Sequence, residues 1–103
     1  MQISVTFRHM DSNDGMKEYV KQKLMKMKKY MGSPGEAHVI LSVEKFRNIA
    51  EVTIRGEGVS INGEERSGDM YSAIDNVMDK IGRQIKKRRG KNRRHKSGQV
   101  AES

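Results

Sequence analysis

The stretch AHVILSVEKFRNIAEVTIRGEGVSI, residues 37–61, decides the fold because it contains three successive strand patterns. In each pattern apolar residues recur at every second position, which is the period of a strand with one buried face. These positions are Ala37, Val39, Leu41 and Val43, then Ala50, Val52 and Ile54, and finally Val59 and Ile61. The GEG at 56–58 predicts a hairpin turn before the third pattern. The stretch therefore predicts three neighbouring strands of one sheet.

The third strand pattern weakens after Ile61, through NGEERSG at 62–68. Asn62-Gly63 could form a tight turn of its own, or the segment could continue as an edge strand. We expect an edge strand with a β-bulge, because EERS is too short and too polar to form a separate strand.

Upstream of this stretch the chain predicts one strand and one helix. Residues 2–8 alternate as a half-buried strand, and DSND at 11–14 supplies candidate helix N-caps, of which Ser12 and Asn13 are preferred. From 16 to 31 the period changes to three and four residues, which predicts an amphipathic helix that GSPG at 32–35 ends. Its apolar positions are Met16, Tyr19, Val20, Leu24, Met27 and Tyr30.

Downstream, Asp69 is placed to cap a second helix. The apolar face of that helix is formed by Met70, Ala73, Ile74, Val77, Ile81 and Ile85. No apolar periodicity continues after Arg89, so we expect a domain over 1–89 and a basic disordered tail over 90–103. The predicted class is α+β with the order β-α-β-β-β-α: a four-stranded sheet with both helices packed on one face.

Charge is concentrated near the carboxyl end of the chain. The net charge is +8, yet residues 80–96 carry ten Lys or Arg and no Asp or Glu, so the remainder is slightly acidic. A solvated helix face is the usual explanation for surface charge. Ten uncompensated cations, however, repel one another and destabilise an isolated helix end. The segment therefore predicts binding to a polyanion.

On a helical wheel, the cations of the second helix are separated from its acids. Lys80, Arg83 and Lys87 fall on one flank of the apolar stripe within about 60°, whereas Asp75 and Asp79 fall on the other flank. Lys86, Arg88 and Arg89 are adjacent cations of the same segment, and we include them in the predicted RNA-binding set.

The first helix carries two further candidate cations. Lys26 lies beside the apolar stripe and Lys23 lies within its arc, so the Lys23 stem either extends to solvent or faces a groove between the helices. If the helices lie side by side, Lys23 and Lys26 converge with Lys80, Arg83 and Lys87 on one surface. The spacing of one helical turn, about 5.4 Å, is close to the phosphate spacing of a nucleic-acid strand.

Several kinds of chemistry are not expected. The chain has no Cys, and its three His are scattered, which argues against disulfides, a metal site and a nucleophile–base pair. We expect no cofactor, metal or small-molecule substrate. With no apolar run of about 20 residues, a soluble cytoplasmic protein is predicted. Because Tyr19 and Tyr30 belong to the predicted core and aromatics are few, we expect a reader of the RNA backbone rather than of stacked bases.

Three segments carry a family likeness. GDMYSAIDNVMDKIGRQIKK at 68–87 resembles the second-helix signature of the hibernation promoting factors, which belong to the bacterial ribosome-associated inhibitor or sigma-54 modulation family. MKEYVKQKLMKMKKY at 16–30 and HVILSVEK at 38–45 support the likeness, which extends over 1–89.

The resemblance implies a fold similar to double-stranded-RNA-binding domains and a noncatalytic inhibitor of translation. Such a protein would bind 16S rRNA of the 30S subunit, in the free subunit or in the 70S ribosome, in the mRNA channel near the A and P tRNA sites. It would exclude mRNA and tRNA in stationary phase or stress. The family's basic positions correspond to Lys23, Lys26, Lys80, Arg83 and Lys87. The length also resembles a short form, which would not pair ribosomes through a second domain of its own.

Two other functions remain open from the residues alone. One is a general double-stranded-RNA-binding module, which would use the same charge without a ribosomal address. The other is a protein that modulates a sigma factor through the exposed edge of its sheet.

Overall fold

The computed structural model describes residues 1–30, 35–56 and 58–97, except the side chains of 89–97. The predicted β-α-β-β-β-α order is confirmed. The elements are β1 (Gln2–Arg8), α1 (Asp14–Lys28), β2 (Glu36–Glu44), β3 (Arg47–Gly56), β4 (Val59–Ser67) and α2 (Met70–Ser97). The strands form one sheet in the order β1-β2-β3-β4. β1 runs parallel to β2 through the α1 crossover, and the other two pairs are antiparallel.

One face of the sheet carries the core and both helices. Every second strand residue points into it, as the alternation predicts, and α1 contributes Val20, Leu24 and Met27 to the same cluster. The largest fully buried side chains are Leu24, Leu41, Ile74, Ile81, Val20, Val39, Val52 and Val77. We call α1 and α2 together the helical layer, and the opposite side of the sheet the open face.

β4 differs from the prediction, since it is an edge strand without a bulge. Its register with β3 runs unbroken from Asn48–Ser67 to Gly56–Val59. Gly63 therefore marks neither a turn nor a bulge. A Cβ at Gly63 would lie 3.3 Å from Ile81 Cδ1 and 3.4 Å from Lys80 Cδ, so the glycine lets α2 approach the strand closely.

The predicted helix starts are confirmed by their capping bonds. The Asn13 side chain accepts a hydrogen bond from the Met16 amide at 2.9 Å, and Asp69 accepts one from the Ser72 amide at 3.0 Å. α1 ends at Lys28, before the predicted end. Of the predicted GSPG stop, 32–34 lie outside the described residues, as does position 57 of the predicted turn between β3 and β4.

α2 is longer than predicted, because it continues to Ser97 instead of ending at Arg89. Residues 90–97 are thus helical rather than the start of a disordered tail, and 98–103 lie outside the described residues. The helix continues past its apolar stripe because its Lys and Arg residues have high helix propensity. The single Gly in this segment lowers the stability of the helix by only about 1 kcal/mol. The 28 residues extend about 42 Å, which is longer than the strands. The assignment of 1–89 as the ribosome-binding domain stays a prediction.

Within the portion of the chain that the structure covers, no helix combines the length and the apolar character needed to cross a membrane.

Candidate nucleic-acid interface

The predicted cations lie on the helical layer, and their contacts show which way each flank of α2 faces. Asp75, Gly82 and Lys86 face α1. A Cβ at Gly82 would lie 3.8 Å from Met27 Sδ, and Lys86 Nζ lies 5.1 Å from the centre of the Tyr30 ring. The opposite flank faces β4: Lys80 Nζ is 3.2 Å from Glu65 Oε2, and Gln84 donates to the Asn62 carbonyl at 3.4 Å.

Lys23 lies in the groove between the two helices, one of the two arrangements that its place in the apolar arc predicted. Its Nζ is 3.2 Å from Asp75 Oδ1 and 5.3 Å from the centre of the Tyr19 ring. The Tyr19 hydroxyl donates to the same Asp75 oxygen at 2.5 Å, and the Tyr19 and Tyr71 rings pack edge to face with centroids 5.0 Å apart. This cluster joins α1 to α2.

The hydrogen bonds of this cluster shift the pKa values of its members. The hydrogen bond from Tyr19, followed by the contacts of Lys23, holds the Asp75 pKa below its ordinary value, although partial burial opposes this. The hydrogen bond with Asp75 raises the pKa of Lys23, and it also raises the pKa of Tyr19. The Lys23–Asp75 ion pair and the neutral Tyr19 donor are therefore the preferred protonation states near neutral pH.

The five cations predicted to converge do not all meet in one groove. Asp75 and Lys80 are five residues apart, or about 140° around the α2 axis, so Lys23 and Lys80 lie on opposite flanks of that helix. Arg83 and Lys87 stay near Lys80 and are exposed, and Lys26 is exposed on α1. All five belong to the helical layer rather than to the open face, and their role in RNA binding stays a prediction.

Cations from both helices do meet at Tyr30. Lys29 Nζ lies 5.5 Å from the centre of the Tyr30 ring, and Lys86 Nζ lies 5.1 Å from it. Lys86 belongs to the predicted RNA-binding set, whereas Lys29 does not. On a helical wheel of α1, Lys29 falls on the outer face, and nothing in the sequence shows that the end of α1 lies against α2.

Three of the five cations predicted to converge form no ion pair with a described acidic residue. Across residues 1–30, 35–56 and 58–88, no carboxylate forms an ion pair with Lys26, Arg83 or Lys87. We call the exposed cations Lys26, Arg83, Lys86, Lys87 and Arg88 the basic surface. The side chain of Arg89 is outside the described part of the chain. Unneutralised charge on a rigid helix is a preformed site for phosphates, because little conformational entropy is lost on binding.

The open face carries a hydrogen-bonded trio that no sequence pattern predicted. Ser4 Oγ lies 2.8 Å from His38 Nδ1, and His38 Nε2 lies 2.8 Å from Glu36 Oε1. The register that pairs Ser4 with His38 brings these side chains together. The side chains of His38 and Glu36 are each more than 40% exposed. Catalytic triads work in water-excluded sites with donors for an oxyanion, so we assign this trio no catalytic role.

Among the residues with defined side chains, no group of His, Cys, Asp and Glu is arranged to hold a metal ion.

Comparison with known proteins gives a consistent result. The family model described as "Sigma 54 modulation protein / S30EA ribosomal protein" matches residues 3–93. The chain is 30% identical over 95 residues to proteins named ribosome hibernation promoting factor from Salmonella typhimurium and Escherichia coli, covering 92% of this chain and 100% of each relative. A protein of the same name from Azotobacter vinelandii is 29% identical over 99 residues, which is 96% of this chain and 92% of that protein.

Two solved structures share the fold. The Protein Y N-terminal domain of Thermus thermophilus is 30% identical with a TM-score of 0.79, over 84% of this chain and 98% of that one. A ribosomal subunit interface protein from Coxiella burnetii also has a TM-score of 0.79, over 87% of this chain and 99% of that one. Its identity of 24% means that this second likeness bears on the fold alone.

Proposed function

This chain belongs to the sigma 54 modulation protein / S30EA ribosomal protein family, and from that premise we propose that it is a ribosome hibernation factor. It binds the small ribosomal subunit and keeps the ribosome idle. The names of its relatives support this function, since they are ribosome hibernation promoting factors. Ribosome binding would place it in the cytoplasm.

The basic surface is the observation that carries the proposal. Its cations sit on two packed helices, and no described carboxylate forms an ion pair with any of them. In contrast, Glu36 and Glu64 on the open face bind His38 and Arg66. A polyanion that approaches the helical layer meets cations spaced along a helix. Such a row of cations suits a nucleic acid, because most protein–nucleic acid hydrogen bonds are made to the phosphate backbone.

The finer proposal concerns the position on the ribosome. We propose that the chain occupies 16S rRNA at the decoding region, within the 30S subunit or the 70S ribosome, and competes there with mRNA and tRNA. The function requires occupancy rather than chemistry, so the protein acts as a steric block. Its affinity should fall steeply with salt, because each neutralised phosphate releases condensed counterions.

The test reverses the charge of α2. Lys80→Glu with Arg83→Glu should abolish cosedimentation with small ribosomal subunits while thermal melts show an intact fold. Because Lys80 already contacts Glu65, a second variant, Arg83→Glu with Lys87→Glu, changes only cations without an acidic partner. The matched control is Lys17→Glu with Lys21→Glu on the other flank of α1, which changes the net charge equally and should retain binding. Retained binding in both α2 variants would reject the site.

Competition separates this function from its two alternatives. A general duplex-binding module would be displaced from ribosomes by any RNA duplex, whereas a decoding-site factor would be displaced mainly by tRNA and mRNA. A sigma-factor modulator would retain its partner after nuclease treatment.

A further inference from the structure

The turn between β2 and β3 exposes an aromatic side chain at the end of the sheet. Lys45 and Phe46 form this two-residue turn, and Phe46 is 93% exposed. The other exposed large apolar side chains of the described residues are far more covered: Met25 is 52% exposed and Tyr71 is 38% exposed. Phe46 is therefore almost fully hydrated, and covering its ring would release the water around it.

The surroundings of Phe46 are cationic. The ring borders an open cleft of about 760 Å³, within the range of ligand-binding clefts, 300–1,000 Å³. The lining residues besides Phe46 are His9, Val43, Glu44, Lys45, Arg47 and Arg66. Arg66 is held by Glu64 at 3.1 Å, whereas Lys45 and Arg47 form no ion pair with any described residue. Lys45 and Arg47, the residues before and after Phe46, therefore carry positive charges that no described carboxylate neutralises.

The backbone at this cleft is also unusual. Lys45 has a φ of 55° and His9 a φ of 58°, and they are the two non-glycine residues with positive φ in the described part of the chain. The first position of a two-residue hairpin turn with this sign of φ favours glycine. The geometry of the turn therefore does not explain why position 45 is a lysine. A lysine at this position does, however, place a cation beside Phe46.

We infer that Phe46 stacks on an unpaired RNA base while Lys45 and Arg47 contact the phosphates on either side of that base. Aromatic rings bind every base through its π face, and flanking cations follow the backbone. An RNA partner is taken from the proposed function, but this contact is distinct from the basic surface. The turn lies at the end of the sheet where α2 begins, next to the Asn48–Ser67 pair, and α2 runs from there towards the other end. The chain would then hold RNA at two separate points.

Substitution of Phe46 supplies a direct reporter, because the chain contains no Trp. F46W introduces a single indole, whose fluorescence should be quenched by a single-stranded oligoribonucleotide and by small ribosomal subunits. Phe46→Ala should weaken subunit binding roughly 5- to 150-fold, the range expected for loss of one base–aromatic stack. Met25→Ala, which removes an exposed apolar side chain elsewhere, should bind like the wild type.

The Phe46→Leu variant decides between a base and an apolar pocket on a protein. Leu cannot stack, so it should bind as weakly as Ala, whereas F46W should bind like the wild type. Subunit binding by the Leu variant that equals the wild type would overturn the inference in favour of a protein pocket.

The two proposals fail separately. If the wild type binds subunits but the indole of F46W is not quenched and the Ala variant binds equally well, base stacking is wrong and the proposed function stands. If the wild type does not bind subunits yet the oligoribonucleotide quenches the indole, the proposed function fails and the stacking contact stands. Absence of both signals rejects both.

Discussion

Lys23 of α1 and Asp75 of α2 form an ion pair across the groove between the helices, with 3.2 Å between Nζ and Oδ1. The same carboxylate oxygen accepts a hydrogen bond from Tyr19. A lysine that the family resemblance assigns to RNA binding is thus engaged inside the protein, and a phosphate would have to compete with Asp75 for it. Lys23 of α1 and Lys80 of α2 are thus each paired with a carboxylate of the protein, and the two pairs lie on opposite flanks of α2. A phosphate would have to compete with that carboxylate in each case.

The first prediction concerns the pH dependence of stability. The Asp75 pKa is lowered from its ordinary value of 3.8, so the stability due to the charged carboxylate is present above about pH 4 and is lost as the pH falls through the lowered pKa. The pKa values of Tyr19 and Lys23 are raised from 10.0 and 10.5, so their contribution is full below about pH 10 and is lost as the pH rises further.

Asp75→Asn removes this titration and should destabilise the protein at pH 7 by about 1 kcal/mol or less, because the Lys23–Asp75 pair is partly exposed. Thermal melts of both proteins from acid to neutral pH should converge below the lowered pKa of Asp75. A gap between the two proteins that is as large at pH 2.5 as at pH 7 would show that the carboxylate charge has no part in joining the helices.

The second prediction concerns competition for Lys80. Glu65→Gln removes the carboxylate 3.2 Å from Lys80 Nζ and frees the amine for phosphate. Affinity for small subunits should rise by up to about fivefold, since an exposed ion pair contributes roughly 0 to 1 kcal/mol. Glu36→Gln, the same chemical change on the open face, is the control and should leave affinity unchanged. Weaker binding by Glu65→Gln would mean that the pair orients Lys80 for RNA instead of competing with it.

The third prediction concerns the close approach of α2 to β4. Gly63→Leu must displace Ile81 and Lys80, and should lower the free energy of unfolding by about 1–3 kcal/mol through overpacking. Gly68→Leu is the matched control, because nothing lies within 4 Å of a Cβ at that position. Denaturant titrations of both variants measure the difference. Equal stability of the two would show that α2 does not depend on a glycine at 63.

Periodicity and capping predicted most of the fold from the sequence. The two-residue period of the strands and the change to a helical period at Met16 gave the element order, because each element must bury one face on the same core. Asn13 and Asp69 were recognisable as caps, since their side chains need only local backbone amides. These patterns arise from interactions between residues close in the sequence, so they can be recognised without knowing the rest of the fold.

Features that depend on contacts between distant elements were less predictable. Asn62-Gly63 has the composition of a turn, yet Gly63 serves the packing of α2. The wheel separated the cations of α2 from Asp75, but it could not show which flank faces α1. Lys23 within the apolar arc was the one signal of that groove, and its partners Tyr19 and Asp75 appeared only in the structure. The end of α2 was missed because a helix past the core needs no apolar stripe.

Site-specific crosslinking shows whether the helical layer faces ribosomal RNA. The chain has no Cys, so a single introduced Cys can carry a photocrosslinker. Asn76→Cys places it on the exposed side of α2, two turns before Arg83, and Ser60→Cys places it on the open face. We predict that the probe at 76 crosslinks to 16S rRNA in small subunits and that the probe at 60 does not. Crosslinking from 60 but not from 76 would contradict the account.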